Sequence, residues 1–342
     1  VIWRRWMRRL LLVFSLSAYA AVANANCGVD FDEFLTTLKQ DAHTIGYSKN
    51  LIQEFFTDVE KNPEVLKADQ NQEVFQKDFI KFSQLLISDD RITHAKKNAT
   101  KYKDIFDKIE KKFGIPSGVL LALWAFETDF GVNQGNFNTL NSLITLAHNC
   151  RRPELFRSQI FAALDLFKKN QFDPLKTQGA WAGEIGMIQM LPIDIIQNGT
   201  DGDGDGIVDL QSSVPDALIT GAKMLSTLGW QANAPWLQEV LIPKNLDWSK
   251  TGLYNSLPVK DWKVMGVEAR IGELFEGATH ASILLPVGRN GPAFLTYPNF
   301  EVYLKWNQSL VYVTTAALFA SYLNGSPIYN PNTPDVGLNG YE

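Results

Sequence analysis

Hydrophobic residues recur at helical spacing along most of the chain. Between positions 30 and 112, apolar side chains three and four residues apart predict a run of amphipathic helices. Ser48 and Asp89 are residue types that favour helix starts, so we place two of these helices there. The same period predicts further helices at 140–147, 155–167, 216–228 and 310–323.

The pattern changes after Gly229. Short apolar stretches at 240–243, 282–287 and 293–297 are separated by turn residues, which predicts β-strands. We therefore expect an α+β fold that is predominantly α, with a small sheet inserted late, at about 237–300. The last segment, 327–342, is rich in Pro, Asn and Gly and is expected to be loose.

One predicted helix has no polar face. Nine consecutive uncharged residues, 118–126, precede Glu127, with Pro116 suited to the helix start and Gly131 to its end. A helix that is apolar all round is buried. In that surrounding, loss of hydration raises the pKa of Glu127 and keeps it a proton donor near neutral pH. The alternative is that Glu127 lies in solvent or pairs with a lysine at the helix end.

The first 25 residues have the pattern of a cleaved secretory signal. Four arginines precede a short apolar stretch at 10–23, and the small residues Ala23 and Ala25 suit a signal peptidase. The stretch is too short to span a bilayer, and no later run is long and apolar enough, so we expect a periplasmic protein without a transmembrane span. Asn26 before Cys27 argues against a lipid anchor. The true start is either Met7 or the first codon.

Composition narrows the choice of partners. The net charge is −5, and removal of the four signal-peptide arginines changes it to −5 − 4 = −9. An acidic chain is not expected to bind nucleic acid or an anionic membrane, whereas plentiful Trp and Phe favour a ligand held by stacking and neutral hydrogen bonds. The remaining 342 − 25 = 317 residues can form one large domain or two closely joined ones, and we expect a monomer.

Only two cysteines occur, Cys27 and Cys150. Export places both in an oxidising compartment. A bridge between them would close a loop of more than a hundred residues and add roughly 4–5 kcal/mol of stability in the loop-entropy model. We predict this disulfide as a structural feature, with two free buried thiols as the alternative.

An acidic, glycine-rich loop at 201–209 has the ligand spacing of an EF-hand. Acids occupy positions one, three, five and nine, and glycine occupies position six. A serine stands at position twelve, where a bidentate acid is expected, so an acid four residues later is taken as its substitute. We predict a structural Ca²⁺ site, with an acidic turn without metal as the alternative. The predicted ligands are Asp201, Asp203, Asp205, Ile207 and Asp216.

Other catalytic templates are missing from the sequence. It has no phosphate-binding glycine loop, no His-Glu-x-x-His and no nucleophile-elbow serine, and its four histidines show no ligand spacing. A carboxylic acid in an aromatic setting favours cleavage of glycosidic bonds. Hydrolases of that kind usually need two carboxylates. Glu184 and Asp173 are candidates for the second carboxylate, and their spacing in the sequence does not favour one over the other.

Several further motifs follow Glu127 in a fixed order. They are the segments 127–131 and 179–192, Pro-Asp-Ala at 215–217, Gly-Trp at 229–230, Pro-Trp at 235–236, Gly-Pro-Ala-Phe at 291–294, Asn-Phe at 299–300, and Trp-Asn-Gln-Ser at 306–309 with Tyr312. Together they resemble the membrane-bound lytic murein transglycosylase B family (glycoside hydrolase family 103), here in a soluble form. The resemblance covers about 27–326.

The resemblance implies a lysozyme-like catalytic core with calcium in the EF-hand-like loop. It also implies that the substrate is the glycan strand of peptidoglycan, cleaved at the β-1,4 bond between N-acetylmuramic acid and N-acetylglucosamine without water. One glutamate, matched by Glu127, first protonates the leaving oxygen. It then accepts the proton of the muramoyl 6-hydroxyl, which attacks C1 and gives a 1,6-anhydro product.

The resemblance also assigns the substrate-binding residues. Gln189 matches the family glutamine that binds substrate near the cleavage point, and Asn307 and Tyr312 match positions that line the cleft around the acid. We add Trp181, Trp306 and Glu184 as candidate substrate contacts. Trp181, Trp306 and Phe300 suit either sugar stacking or the core. Ala180 stands where relatives often have serine. Glu184 stands where many have alanine, so it is either a variant substrate contact or a perturbation of Glu127.

The sequence leaves two other functions open. A muramidase would cleave the same bond with water, and a non-catalytic scaffold would bind peptidoglycan and keep the fold. The C-terminal cell-wall-binding repeat domain usual in the family is absent, so we expect targeting to rest on the cleft.

Overall fold

The computed structural model describes residues 29–71, 78–275 and 280–325. The predicted signal peptide at 1–25, Cys27 and the predicted loose tail at 327–342 lie outside the described residues, and they stay predictions. No helix of the described residues has the length and apolarity needed to cross a membrane.

The described chain is mainly helical, as predicted. The helices are α1 (Phe31–Ile45), α2 (Lys49–Phe55), α3 (Pro63–Asn71), α4 (Phe79–Leu86), α5 (Asp89–Lys101), α6 (Lys103–Phe113), α7 (Ser117–Thr128), α8 (Thr139–His148), α9 (Pro153–Lys168), α10 (Pro192–Asn198), α11 (Val214–Thr227), α12 (Val259–Val264), α13 (Pro298–Trp306) and α14 (Leu310–Leu323). Side-chain caps explain several starts: the Ser48 hydroxyl accepts a hydrogen bond from the N–H of Leu51, and Ser88 caps α5 one residue before the predicted Asp89.

Helix α7 is the buried helix that carries Glu127. Every residue from Gly118 to Ala125 is buried, and α7 packs along α14, which is also buried along most of its length. Gly118 permits this close packing, because a Cβ there would lie 2.7 Å from the main-chain oxygen of Ala320. α5, α6 and α11 pack against the other sides of α7.

Two antiparallel sheets accompany the helices. The strands are β1 (Phe137–Asn138), β2 (Gln178–Gly179), β3 (Leu237–Leu241), β4 (Leu257–Pro258), β5 (Glu268–Ala269), β6 (His280–Leu284) and β7 (Ala293–Thr296). β1 pairs with β2, and the other five form one sheet in the order β4-β6-β7-β3-β5. The larger sheet confirms the prediction of a small late sheet.

The larger sheet is buried on both faces. Successive residues of β7 alternate between two cores, because side chains of a strand point to opposite faces. Phe294 belongs to the main helical core, where its ring lies 6.2 Å from that of Phe79. Leu295 belongs to a second core that contains Trp262, under the segment between β3 and β6.

The sequence patterns located three of the seven strands in the described residues and missed β1, β2, β4 and β5. The predicted strands 240–243, 282–287 and 293–297 correspond to β3, β6 and β7, with β3 and β6 starting earlier than predicted. The four missed strands and α12 were not predicted, because each is six residues or shorter and too short to show a period.

Candidate active site

Glu127 lies at the end of α7, where the chain turns sharply. Asp129, Phe130 and Gly131 have φ angles of 53°, 60° and 89°, so three consecutive residues adopt the left-handed conformation. Of the three, only Gly131 adopts this conformation without steric strain, and a bulky residue such as Phe130 rarely adopts it. The turn is held by the N–H of Asp129, which donates to Ala125 (3.0 Å). The Asp129 carboxylate also accepts a hydrogen bond from Nε of Arg91 (3.1 Å). The helix therefore ends directly after the acid.

One oxygen of the Glu127 carboxyl group accepts two hydrogen bonds. Oε1 accepts from the Tyr312 hydroxyl at 2.6 Å and from the indole Nε1 of Trp306 at 2.9 Å. Both donors come from the junction of α13 and α14, where Ser309 caps α14. Within the described part of the chain, Oε2 has no hydrogen-bond partner. The structure thus contradicts the alternative in which Glu127 pairs with a lysine at the helix end.

The surroundings of Glu127 raise its pKa. Burial is the largest cause, and the negative charge of Glu184 adds to it, while the hydrogen bonds from Tyr312 and Trp306 lower the pKa. Burial and the charge of Glu127 also raise the pKa of Tyr312 well above its ordinary value, so this phenol stays protonated and donates. The net effect favours the protonated acid, as expected from the sequence.

Glu184 lies near this acid, on the loop that follows β2. Its main-chain oxygen accepts from the N–H of Ala180 (2.9 Å), which closes the loop. Its side-chain Oε2 is buried and has no hydrogen-bond partner among the described residues. Burial raises the pKa of Glu184, and Arg152 lowers it. A second carboxylate therefore lies within electrostatic range of Glu127.

The loop 183–190 brings Gln189 to the same region. Gln189 has a φ of 51°, and its Nε2 donates to the main-chain oxygens of Gly186 (2.8 Å) and Gln134 (3.2 Å). These bonds use the N–H groups of the side-chain amide, so the amide oxygen is the atom left for a ligand. Gln189 is partly exposed.

The other residues predicted for the site lie partly at the surface and partly in the core. Trp181 is partly buried on the loop after β2 and packs against the main core. Asn307 ends α13, and its Oδ1 accepts from the N–H of Ser309 (2.9 Å). Phe300 is 1% exposed and is a core residue. Asp173 accepts from the N–H groups of its own turn, and those bonds help to lower its pKa.

Sequence reasoning missed the residues that hold the end of α7. The buried Thr128 hydroxyl donates to the main-chain oxygen of Met187 (2.6 Å) and accepts from the N–H of Gly131 (2.9 Å). Gln134 Nε2 donates to Gly131 (3.1 Å) and to Gln211 (2.9 Å). Thr128 directly follows the acid, but its partners are distant in sequence, so no local pattern indicates its role.

The acidic loop brings three carboxylates together. One oxygen atom from each of Asp201, Asp203 and Asp205 lies within 4.8 Å of the others, and no other such cluster of His, Cys, Asp or Glu occurs in the described residues. Loop N–H groups bond to them: Gly204 (2.6 Å) and Gly206 (2.8 Å) donate to Asp201. These bonds lower the pKa of Asp201, which keeps it ionised.

Asp216 joins the loop to α11. It is 1% exposed, and its two oxygens accept from the N–H groups of Gly202 (2.7 Å) and Asp209 (2.8 Å). Ile207 donates its N–H to Asp205 (2.8 Å). A hard cation prefers such carboxylate oxygens, and the converging exposed carboxylates fit Ca²⁺.

The N-terminal part of the described chain lies beside the end of α8. Nε2 of His148 and the main-chain oxygen of Val29 are 2.9 Å apart. Val29 follows Cys27 by two residues, and Cys150 follows His148 by two residues. This neighbourhood supports the predicted disulfide, which stays a prediction because Cys27 is not among the described residues.

A family model and a curated relative resemble this chain. The transglycosylase SLT domain model matches residues 30–321. Membrane-bound lytic murein transglycosylase B of Escherichia coli (strain K12) is 28% identical over 153 residues, which cover 44% of this chain and 42% of that protein. The matched region thus spans less than half the length of that relative.

Solved structures have the same fold. SltB3 from Pseudomonas aeruginosa in complex with NAG-NAM-pentapeptide has a TM-score of 0.84 and 31% identity, and the match covers 90% of this chain and 83% of that chain. SltB3 in complex with NAG-anhNAM-pentapeptide matches equally. Escherichia coli Slt35 in complex with calcium has a TM-score of 0.75 and 21% identity over 89% of this chain and 97% of that chain, which shows the fold alone.

Proposed function

This chain belongs to the transglycosylase SLT domain family, and on that premise we propose that it is a lytic transglycosylase of peptidoglycan. It cleaves the β-1,4 bond between N-acetylmuramic acid and N-acetylglucosamine and leaves a 1,6-anhydromuramic acid end. The structural matches to SltB3 with NAG-NAM-pentapeptide and with NAG-anhNAM-pentapeptide support this substrate class and product.

Glu127 acts first as the general acid. Because Oε1 accepts from both Tyr312 and Trp306, the proton is carried by Oε2, the oxygen without a partner among the described residues. This proton passes to the glycosidic oxygen as the bond from that oxygen to C1 breaks. The two donors then stabilise the carboxylate that forms, since hydrogen bonds to an ionised group are stronger than those to a neutral one.

Glu127 then acts as the base. Its carboxylate takes the proton of the muramoyl 6-hydroxyl while that oxygen attacks C1, so a C1–O6 bond replaces the broken one and the acid is regenerated. The raised pKa of Glu127 suits both steps, because a group that titrates closer to neutral pH gives and takes protons more readily. Attack from within the sugar needs no bound water.

Other residues bind and orient the glycan strand. The free amide oxygen of Gln189 is placed to accept from a sugar hydroxyl or N-acetyl N–H group. Trp181 and Asn307 are proposed as further contacts, both being partly exposed. Trp306 and Tyr312 contact Glu127 directly, so their main contribution is to orient the acid.

A calcium ion is proposed in the acidic loop. Asp201, Asp203 and Asp205 would hold it, with Ile207 and Asp216 completing the site from the loop and from α11. A bound Ca²⁺ would offset two of the three neighbouring negative charges and so stabilise the connection to α11. It takes no part in the chemistry at Glu127.

The proposal includes export to the periplasm, where peptidoglycan lies. The N-terminal signal-like segment supports it, and the relative named membrane-bound lytic murein transglycosylase B is consistent with it. Fractionation of cells that express the full chain, followed by N-terminal sequencing, tests cleavage after Ala25.

The observation that carries the function is the Glu127 carboxyl group with Oε1 held by two donors and Oε2 unpartnered at the end of a buried helix. Purified protein should release muropeptides with 1,6-anhydro ends from sacculi, as measured by mass spectrometry. Glu127→Gln should release none above background. Digestion by Glu127→Gln at the parent rate would remove this role from Glu127.

A muramidase is the second candidate, and Glu184 favours it. A carboxylate within electrostatic range of the acid is what hydrolysis by two carboxylates requires. Reducing muramic acid ends in the same mass spectra, lost in Glu184→Gln, would establish hydrolysis. The scaffold alternative is disfavoured, because a buried acid with an unpartnered oxygen is costly and serves no binding need.

A further inference from the structure

A groove lies at the opposite end of α7 from Glu127. It has a volume of about 510 Å³ and is formed by the end of α6, the turn into α7, the segment 232–236 before β3, and Phe275. Pro116 lines it and precedes Glu127 by eleven residues, which corresponds to about 16 Å along a helix. The groove is therefore separate from the catalytic site.

The walls of this groove are held firmly. Gly114 ends α6 with a φ of 63°, and a Cβ there would lie 2.3 Å from that of Ala232, so the segment 232–236 lies directly against the turn. Trp230 Nε1 donates to the main-chain oxygen of Gly114 (3.0 Å), and Trp236 Nε1 donates to Ala317 (3.0 Å). Sites for small ligands are usually pre-formed in this way.

The lining combines apolar surfaces with positive charge. Its apolar members are Phe113, Pro116, Pro235, Trp236 and Phe275. Phe275 is 43% exposed, so part of its ring is open to a ligand in the groove. Lys111 and Lys112 lie at its edge, with Nζ of Lys112 5.1 Å from the centre of the Phe113 ring.

The charge at the groove is opposite to that of the whole chain. Two lysines and one glutamate line it, whereas the net charge of the chain is −5. A ligand that fits has carboxylates for the lysines and small apolar groups for the aromatic and proline surfaces. A neutral sugar chain lacks carboxylates, and a nucleic acid is repelled by the negative charge of the protein.

We propose that this groove binds an acidic peptide, namely the carboxylate-bearing stem peptide of peptidoglycan, as a second attachment to the polymer. The inference rests on the proposed function, because it takes peptidoglycan as the substrate. Two sites on one chain that engage the same polymer raise the effective concentration of each. The groove would thus favour binding to sacculi over binding to short fragments.

The first test measures binding of the Glu127→Gln protein to sacculi by co-sedimentation. Adding Lys112→Glu should weaken binding roughly three- to tenfold, as expected for reversing one exposed charge in an ion pair. Lys39→Glu is the matched control, since it makes the same charge change at an exposed position of α1 that does not line the groove. Equal weakening by both variants would overturn the proposal.

Phe275→Ala provides a second variant that leaves the charge unchanged. In the Glu127→Gln protein, Phe275→Ala should weaken binding to sacculi. In the protein that keeps Glu127, Phe275→Ala should leave the turnover of a soluble, peptide-free tetrasaccharide at the parent value. Loss of that turnover would overturn the separation of the groove from the cleft. Glycan strands freed of peptides by an amidase are no longer cross-linked and do not sediment, so they are added as soluble ligands, and they should bind Lys112→Glu and its parent equally. A persisting difference would overturn the peptide as the ligand.

These results are distinguishable from failure of the proposed function. If the parent releases no 1,6-anhydro products while Lys112→Glu still weakens binding to intact sacculi selectively, the catalytic proposal fails and the groove stands. If anhydro products appear and neither groove variant alters binding, the groove proposal fails alone.

Discussion

Removal of the Tyr312 hydroxyl tests how Glu127 is tuned. The hydroxyl donates to Oε1 at 2.6 Å, and this bond lowers the pKa of Glu127 against the effect of burial. A hydrogen bond to an ionised group is worth about 1.5–3 kcal/mol and one to a neutral group about 0.5–1.5 kcal/mol. Tyr312→Phe therefore costs the ionised form about 1.4 kcal/mol more than the protonated form, which raises the pKa of Glu127 by about one unit.

The sign of the effect on activity follows from the role of Glu127. A general acid must be protonated, so kcat/KM falls as pH rises through its pKa. Tyr312→Phe should move this falling limb about one pH unit higher and lower the maximum about tenfold, because the developing carboxylate loses a donor. The assay is release of soluble muropeptides from sacculi between about pH 4 and pH 9.

Tyr303→Phe is the matched control. Tyr303 is also fully buried, and in the described part of the chain its hydroxyl has no hydrogen-bond partner. Its removal should leave the limb in place and should not reduce stability, since no bond is lost. A falling limb that moves to lower pH in Tyr312→Phe, or that moves equally in Tyr303→Phe, would refute the reasoning.

Four further predictions concern charge and stability. Glu184→Ala should move the same falling limb to lower pH, because it removes a negative charge that raises the pKa of Glu127; an upward shift in the pH profile contradicts this. The melting temperature of Glu127→Gln should be higher than that of the wild type, and the difference should grow with pH. The folded-state pKa of Glu127 is raised, so wild-type stability falls as pH rises from the unfolded pKa towards the folded one; a pH-independent margin in thermal scans would speak against it. Asp216→Ala should lower the free energy of unfolding by about 2–3 kcal/mol, because two loop N–H groups lose their acceptor, and Asp205→Ala in metal-free buffer should cost much less. Calcium should raise the wild-type midpoint and a chelator should reverse the rise, whereas an unchanged midpoint counts against the metal site.

The sequence alone determined the features that depend on local pattern. The fully apolar stretch 118–126 required a buried helix, and the single carboxylate at its end followed directly from the next residue. The alternating glycines and aspartates at 201–206 required a tight acidic loop, because glycine permits the turn and the acids line it. The family motifs predicted that Gln189 and Tyr312 lie in the cleft around the acid, and they left Trp306 between sugar stacking and the core.

How these groups act on one another depends on the tertiary fold. Trp306 and Tyr312 follow Glu127 by more than 170 residues, and nothing local indicates that both donate to the same oxygen. The roles of Thr128 and Arg91, and the nearness of Glu184, depend on which helix ends and loops meet. Hydrogen bonds and pKa shifts act over a few ångströms in space, whereas a sequence pattern reports only neighbours along the chain.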